Sequence, residues 1–533
     1  MMKKKAISLF LALTLVLSLT ACSNSDNGTA EEPVATKTET QNSEEAEEEG
    51  LKEIIISEQW TIDSVDPVSQ GKVMNQKCRV TELLVETDER MNLIPGLASS
   101  WENTDENTWI FKIQEGIQFH DGTALNAEAV KWSLDNAFEI SPSLVKRSNI
   151  ESVEATGDYE ITIKTTQPNA ELPAYLHDAS LGIVAASTYD ADGNVTTPIG
   201  TGPFRFESFD EAKGELSVVK NEEYWGTLPT YNRLVIRMIT DESVRAMSVE
   251  SGEVDIAVDV PFSEMEALDS KDDLRVECYD TNRIYYGYFN AASMFSDKNV
   301  RQAICYAIDR DTISKEVLYG CGTPASGPFN SSIAWSNPEI EGYKYNPDKA
   351  LELLKEVGWE DTDGDGILDK DGKSFSFDIL TFSSRPGLPV MAQAMQAMLS
   401  EIGIQVEVKV MDNNAINEEM EKSDTWGINL TTAAAGLVPS SVYFLNSFSS
   451  ANTEVYGYSN LELDEMLAAC AAEYDQDKRY EMSKEIQAYI VDEAEEIFVC
   501  NYGVNYVFHE NITNFKFNVE ARDWMLNTDI EID

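Results

Sequence analysis

Pro198-Ile199-Gly200-Thr201-Gly202-Pro203-Phe204 is the stretch from which the fold is best approached. Glycine reaches backbone angles closed to other residues. Gly200, Thr201 and Gly202 therefore predict a tight crossing loop with unusual backbone angles, formed either as simple turn chemistry or beside a ligand. Upstream, the β-branched run Leu51–Ile56 reads as a buried strand and Asp66-Pro67 breaks it into a loop. Thr108–Ile113 and Tyr159–Lys164 alternate as strands, and Asn126–Phe138 reads as a helix with Asn126 at its N-cap. Downstream, Leu234–Ile239 is a strand followed by a helix through Asp241–Ser251, and Val300–Ala307 and Asp311–Leu318 are helical. The second half predicts helices over Pro347–Val357, Val390–Ile402, Leu461–Tyr474 and Lys478–Ala494. Its strands fall at Phe375–Phe382, Ile404–Val410 and Ile497–Tyr502. Strands and helices mixed throughout indicate an α/β architecture.

The N-terminus addresses the chain. Lys3, Lys4 and Lys5 precede a mostly apolar run, Ala6–Leu19. That run is shorter than the roughly 20 residues a spanning helix needs, so it reads as a secretion signal. Leu19-Thr20-Ala21-Cys22 resembles a bacterial lipobox, which implies a signal peptide over residues 1–21 and a lipid on Cys22. Residues 22–50 are polar and end in Glu44-Glu45-Ala46-Glu47-Glu48-Glu49-Gly50. Almost nothing there can be buried, so an acidic, disordered tether is expected.

The 533 residues carry 94 acidic and 40 basic side chains, a formal net charge of -54. Such a field repels nucleic acid and excludes a nucleic-acid role. Three histidines and seven cysteines without a C-x-x-C give no support to a zinc site. Six cysteines remain beside Cys22, namely Cys78, Cys278, Cys305, Cys321, Cys470 and Cys500. An even number outside the cell permits disulfides, while their dispersal in a large chain suits buried free thiols, and their state stays open.

Several local signatures stand in a fixed order. They are Leu93–Trp101, Gln118–Thr123 with His120, Asn126–Val130, the heptapeptide Pro198–Phe204, Asn221–Gly226, Ser251–Asp255, Asn299–Ile304 and Ala307–Arg310. Together they resemble the extracytoplasmic substrate-binding proteins of ABC importers, in the family that takes peptides and nickel complexes (solute-binding protein family 5). The resemblance runs from about residue 52 to the C-terminus. It implies a two-lobed, periplasmic-binding-protein-like fold (type II, cluster C) with a ligand cleft between the lobes and no catalysis. Lobe I would comprise 52–287 plus 503–533, and lobe II 288–502. It also implies a monomer that delivers its solute to a permease and ATPase complex while lipid-anchored to the bacterial membrane. His120 is expected to be a structural turn residue.

The ligand is less legible. Peptide binders of that family carry an acidic residue in the second lobe to receive an amino terminus. The matching stretch here, Leu430–Ser441, has no Asp. Nickel binders use an Arg and sometimes a His, and Tyr175–Gly182 offers His177 without an Arg. Other cleft candidates are Gln70, Met74 and Arg79 in the loop after the first strand. Arg385 follows a later strand, and Tyr443 is a candidate wall residue. Either arginine suits a carboxylate held by two parallel hydrogen bonds. The expected solute is a small peptide or related carboxylate-bearing molecule, with a nickel chelate as the alternative. Asp361, Asp363, Asp365 and Asp369 occupy positions one, three, five and nine of an EF-hand-like loop, but Gly372 holds position twelve. The expectation is a weak structural calcium site or a polar turn, and no other cofactor. A secreted hydrolase is the main rival class, yet the chain has neither G-x-S-x-G nor H-E-x-x-H. A surface receptor without transport is the third reading.

Intact-mass measurement of the native protein is expected to show a diacyl or triacyl increment on a chain beginning at Cys22. A soluble form beginning elsewhere would refute lipidation.

Overall fold

The computed structural model describes residues 52–385, 387–423, 425–435, 438–519 and 527–532. The signal segment, Cys22 and the tether lie outside the described residues. Most predicted elements form where their patterns place them. Asn126 caps helix Ala127–Ile140 by accepting from the Ala129 N–H at 2.9 Å, and Asp241 caps Glu242–Glu250 through Val244 at 3.0 Å. Each cap satisfies an amide that the first helical turn leaves unpaired. The segment predicted as one helix over Asp311–Leu318 differs. It is a single turn, Arg310–Thr312, that widens into a π-type turn over Ile313–Val317. The Ser314 hydroxyl donates to Gly322 O at 2.6 Å, drawing that turn toward the following loop.

A ten-stranded sheet runs through the molecule. At one end Gln405–Met411, Ser376–Phe382 and Trp426–Ala434 lie parallel. At the other, Ile256–Val258, Glu53–Glu58 and Arg233–Met238 lie parallel and continue into Glu215–Lys220 and Phe204–Asp210. Two long antiparallel strands between them, Leu274–Phe289 and Glu496–His509, connect the ends. A separate four-stranded sheet orders Ala98–Asp105, Thr108–Ile113, Glu160–Thr165 and Ile150–Gly157.

Separate apolar cores follow this layout. Helices Lys298–Ala307, Pro347–Glu356 and Leu388–Glu401 bury Ile304, Leu354 and Met395 against Phe377 and Ile379. Helix Ala127–Ile140 buries Val130 and Leu134 against Phe111 and Ile163 of the four-stranded sheet. A third core gathers Ile54, Ile56, Leu234 and Ile236 with Val504 and Tyr506.

Three of the sequence signatures, those of His120, of Gly200–Gly202 and of Asn221–Gly226, converge on one junction. Gly202 donates to Val80 O at 3.1 Å, and a Cβ on Gly200 or Gly202 would lie 2.0 Å from the carbonyl oxygen of Val80 or Arg79. Neither glycine is among the residues with positive φ. The expectation of unusual angles is thus corrected: the glycines are required by close backbone approach. The Glu82 carboxylate, 8% exposed, accepts from Thr201 Oγ1 at 2.7 Å, Tyr224 OH at 2.7 Å and Trp225 Nε1 at 2.9 Å. Burial raises its pKa against those hydrogen bonds. Asn221 Nδ2 donates to Gly202 O at 3.1 Å, and His120 Nε2 shares that carbonyl at 2.9 Å. His120 is therefore a packing residue at the junction.

Burial lowers the His120 pKa to about 4, against a smaller opposing effect of its bond to Gly202 O. A depressed imidazole pKa means the unfolded chain takes up the proton first as pH falls. Stability is accordingly expected to drop between about pH 6.5 and 4, by roughly 2 kcal/mol after allowance for partial exposure. Denaturant titrations should show His120→Gln losing less than the parent over that window. Equal losses would assign the acid sensitivity to other groups.

Candidate functional site

Two adjoining cavities open where the parallel strands end, as expected of open α/β sheets. One, of ≈ 320 Å³, is lined by Trp60, Gln70, Lys72, Lys77, Arg283 and Arg385 among others. The second, of ≈ 470 Å³, shares Trp60 and Arg385 and extends to Gln59, Glu242 and Val390. Both fall in the size range of small-molecule sites. Strand Glu53–Glu58 delivers Trp60, and strand Ser376–Phe382 delivers Arg385 from the opposite end of the sheet. The Arg385 guanidinium lies 4.5 Å from the Trp60 ring centroid. This cation–π contact holds the charge at the mouth of both cavities.

Arg283 arrives by a different route. Asp280 pairs with Gly503 and Ile284 with Asn501, so Thr281, Asn282 and Arg283 face Tyr502 alone. Such a bulge bends its strand and re-aims a side chain. The Thr281 hydroxyl pins it, donating to Tyr502 O at 2.9 Å and accepting from the Arg283 N–H at 3.1 Å. The Arg283 guanidinium then stands 5.6 Å from the Tyr502 ring centroid. Lys77 forms a buried ion pair with Glu58. Four basic residues and no acidic one are among the described residues lining the smaller cavity. In a chain with 94 acidic and 40 basic residues, a wall without a lining acid stands out, although the Lys77 charge is matched by Glu58 behind it.

The structure brings Gln70 and Arg385 together and leaves the other candidates elsewhere. Met74 is 0% exposed in the core with Ile54 and Ile56, so the cleft-facing expectation gives way to packing. Arg79 has φ 51°, abuts Gly202 through its carbonyl and places its charge near Glu82 rather than along either cavity. His177 is buried, its Nδ1 2.9 Å from Val85 O. Tyr443 packs edge-on against Tyr175, ring centroids 6.0 Å apart. Trp60, Lys72, Lys77 and Arg283 were not singled out by the sequence. Trp60 follows the predicted first strand directly and was findable there. Arg283 depends on a bulge that has no local signature.

Of the aspartate loop, Asp361, Asp363 and Asp369 each bring one oxygen within 4.8 Å of the others. Asp365 instead accepts from Ile367 N at 2.9 Å, and Asp361 accepts from Gly364 N at 2.7 Å and Gly366 N at 3.0 Å. Much of each carboxylate's capacity is thus spent on the turn itself.

Two α/β ends joined by paired strands, with cavities beside the joint, define a two-lobed solute-binding fold. The sequence profile of the bacterial extracellular solute-binding proteins, family 5, matches residues 92–454. The chain belongs to that family, whose members bind solutes and are not enzymes. It is 27% identical over 454 residues to the oligopeptide-binding protein AppA of Bacillus subtilis, covering 82% of this chain and 83% of that one. It is 28% identical over 484 residues to the glutathione-binding protein GsiB of Pectobacterium atrosepticum, covering 87% and 91%. The structure of a nickel ABC transporter protein from Bacillus halodurans superposes with a TM-score of 0.80 at 27% identity, over 90% of this chain and 100% of the other.

Asp363→Asn is expected to lower the melting temperature in calcium and leave it unchanged in chelator. The same fall in both would mark the loop as a turn that functions without metal.

Proposed function

We propose that the chain is the receptor of an ABC importer that captures a small carboxylate-bearing solute outside the cell and passes it to a membrane permease. The observation that carries this reading is the basic wall of the smaller cavity, where Arg283 and Arg385 approach from different parts of the chain. Relatives named for oligopeptides, glutathione and nickel support it, because peptides and amino-acid chelates of nickel share carboxylate groups. A short peptide is the first reading. A nickel chelate is the second, favoured by the likeness to the nickel transporter protein.

In this reading lobe I (52–287 and 503–533) and lobe II (288–502) close on the solute. A lipid on Cys22 anchors the protein to the bacterial membrane, and residues 23–50 form the tether. Among the described residues no helix is long and apolar enough to cross a membrane. A monomer suffices, since both cavity walls come from one chain. Permease and ATPase genes beside the coding sequence would favour import over a receptor without transport.

Arg385→Ala and Arg283→Ala should each weaken binding by about 2–5 kcal/mol, the usual cost of breaking one side of a buried charge pair. Calorimetry with a tripeptide panel, glutathione and a nickel–histidine complex would identify the solute and measure the loss. If a bound solute holds equally well to the parent and both variants, the carboxylate clamp is wrong.

A further inference from the structure

Cys278 and Cys321 lie 43 residues apart in sequence yet share one apolar cluster beside the two paired long strands. Cys278 stands on strand Leu274–Phe289, opposite Asn505. Asp280, two residues on and on the same face, accepts from the Thr323 N–H at 3.1 Å and from the Thr323 hydroxyl. Cys321 stands two residues before Thr323, so the loop runs alongside the strand and sets one cysteine against the other. The loop is held down firmly. Asn501 N donates to Thr323 O at 2.7 Å, and a Cβ on Gly503 would meet the Cys321 carbonyl carbon at 2.5 Å. Cys321 is 1% exposed in an apolar cluster with Leu274 and Val507, and the partly exposed Cys278 packs on the same cluster. The neighbouring Cys278 thiol, together with burial, holds Cys321 protonated well above its ordinary range. Among the described residues the one cluster of metal-ligating groups is the aspartate loop, so the pair is not part of a metal centre.

We propose that Cys278 and Cys321 are a disulfide site, oxidised when the protein reaches its extracellular compartment. The oxidant is a disulfide-bearing thiol oxidoreductase or a small-molecule disulfide. Cys278, the more exposed sulfur, loses its proton and attacks one oxidant sulfur, releasing the other as a thiol. Cys321 then loses its proton and attacks the Cys278 sulfur, forming the protein S–S bond and releasing the second oxidant thiol. Two protein thiols are oxidised, one oxidant disulfide is reduced, and its two sulfurs take up the two protons. The bond would tie the loop after Leu318, whose helices pack in the core with Ile304 and Ile313, to the strand that connects the two ends of the sheet. It would fix that attachment beside the paired strands and leave the cavity mouth free.

The test is peptide mapping of the full-length protein after exposure to oxidised glutathione, with alkylation under denaturing, non-reducing conditions. A Cys278–Cys321 linked peptide, about 2 Da lighter than its two thiol halves, is expected. It should vanish in Cys278→Ser and Cys321→Ser and persist in Cys500→Ser. The oxidised parent should melt roughly 3–6 °C above the reduced parent, with the difference abolished in Cys278→Ser. Full alkylation of Cys278 and Cys321 after oxidation overturns the proposal. So does a linked peptide joining Cys321 to Cys500, whose sulfur lies 3.1 Å from Thr323 O. Mapping of the parent decides the matter even where a serine variant fails to fold.

Discussion

The antiparallel pairing of Leu274–Phe289 with Glu496–His509 is the constraint on which the rest depends. Leu274–Phe289 borders Trp426–Ala434 and Glu496–His509 borders Ile256–Val258, so the two parallel sub-sheets are oriented through the ladder between these two strands. That ladder is also interrupted. The bulge at Thr281–Arg283 breaks it at the place where the cavities open and turns a long strand into a source of cavity charge. A uniform ladder would keep Arg283 in strict alternation, with no reason to share a wall with Trp60 and Arg385. The irregularity is therefore functional in the sense that it places a side chain.

A second constraint fixes the loop after the first strand. Backbone carbonyls of Arg79 and Val80 press against Gly200 and Gly202, and Glu82 collects hydroxyl and indole donors from Thr201, Tyr224 and Trp225. A buried carboxylate with three donors costs desolvation and is tolerable because its hydrogen bonds are made. The result fixes residues 79–82 against the Gly200–Gly202 stretch. Sequence signatures that look like ligand motifs are, at this junction, packing contacts.

Elements with a clean period were readable in the sequence, and helix Ala127–Ile140 with its Asn126 cap is the plainest case. The long strand Leu274–Phe289 was not, because Glu277, Asp280, Asn282 and Arg283 interrupt the alternation that a half-buried strand displays. Its partner was read only as far as Tyr502, although it continues to His509. Family signatures carried the architecture where periodicity failed. The site was half legible for a related reason. Gln70 and Arg385 follow strands that the pattern reveals, whereas Arg79, His177 and Met74 lie near the right loops but turn into packing. Proximity in sequence to a strand end locates a cleft, and side-chain direction, which tertiary packing sets, decides membership in it.

The electrostatics of the chain and of its cavity pull in opposite directions, and distance decides between them. Surface carboxylates act through salt water, where a charge is screened within about 8 Å. They repel an approaching anion weakly and keep the protein soluble. Inside the cavity the effective dielectric falls, and a contact ion pair at about 4 Å is worth on the order of 4 kcal/mol. On the proposed reading, a solute carboxylate at contact range of Arg283 and Arg385 is therefore governed by the wall more than by the acids outside. The cation–π contact on Trp60 pre-orients Arg385, and the Thr281 hydroxyl fixes the bulge that carries Arg283. Less side-chain freedom is then lost on binding. On the proposed reading, a cleft of this kind gains little from long-range steering of an anion, so affinity arises from short-range geometry, with slow release contributing more than fast capture.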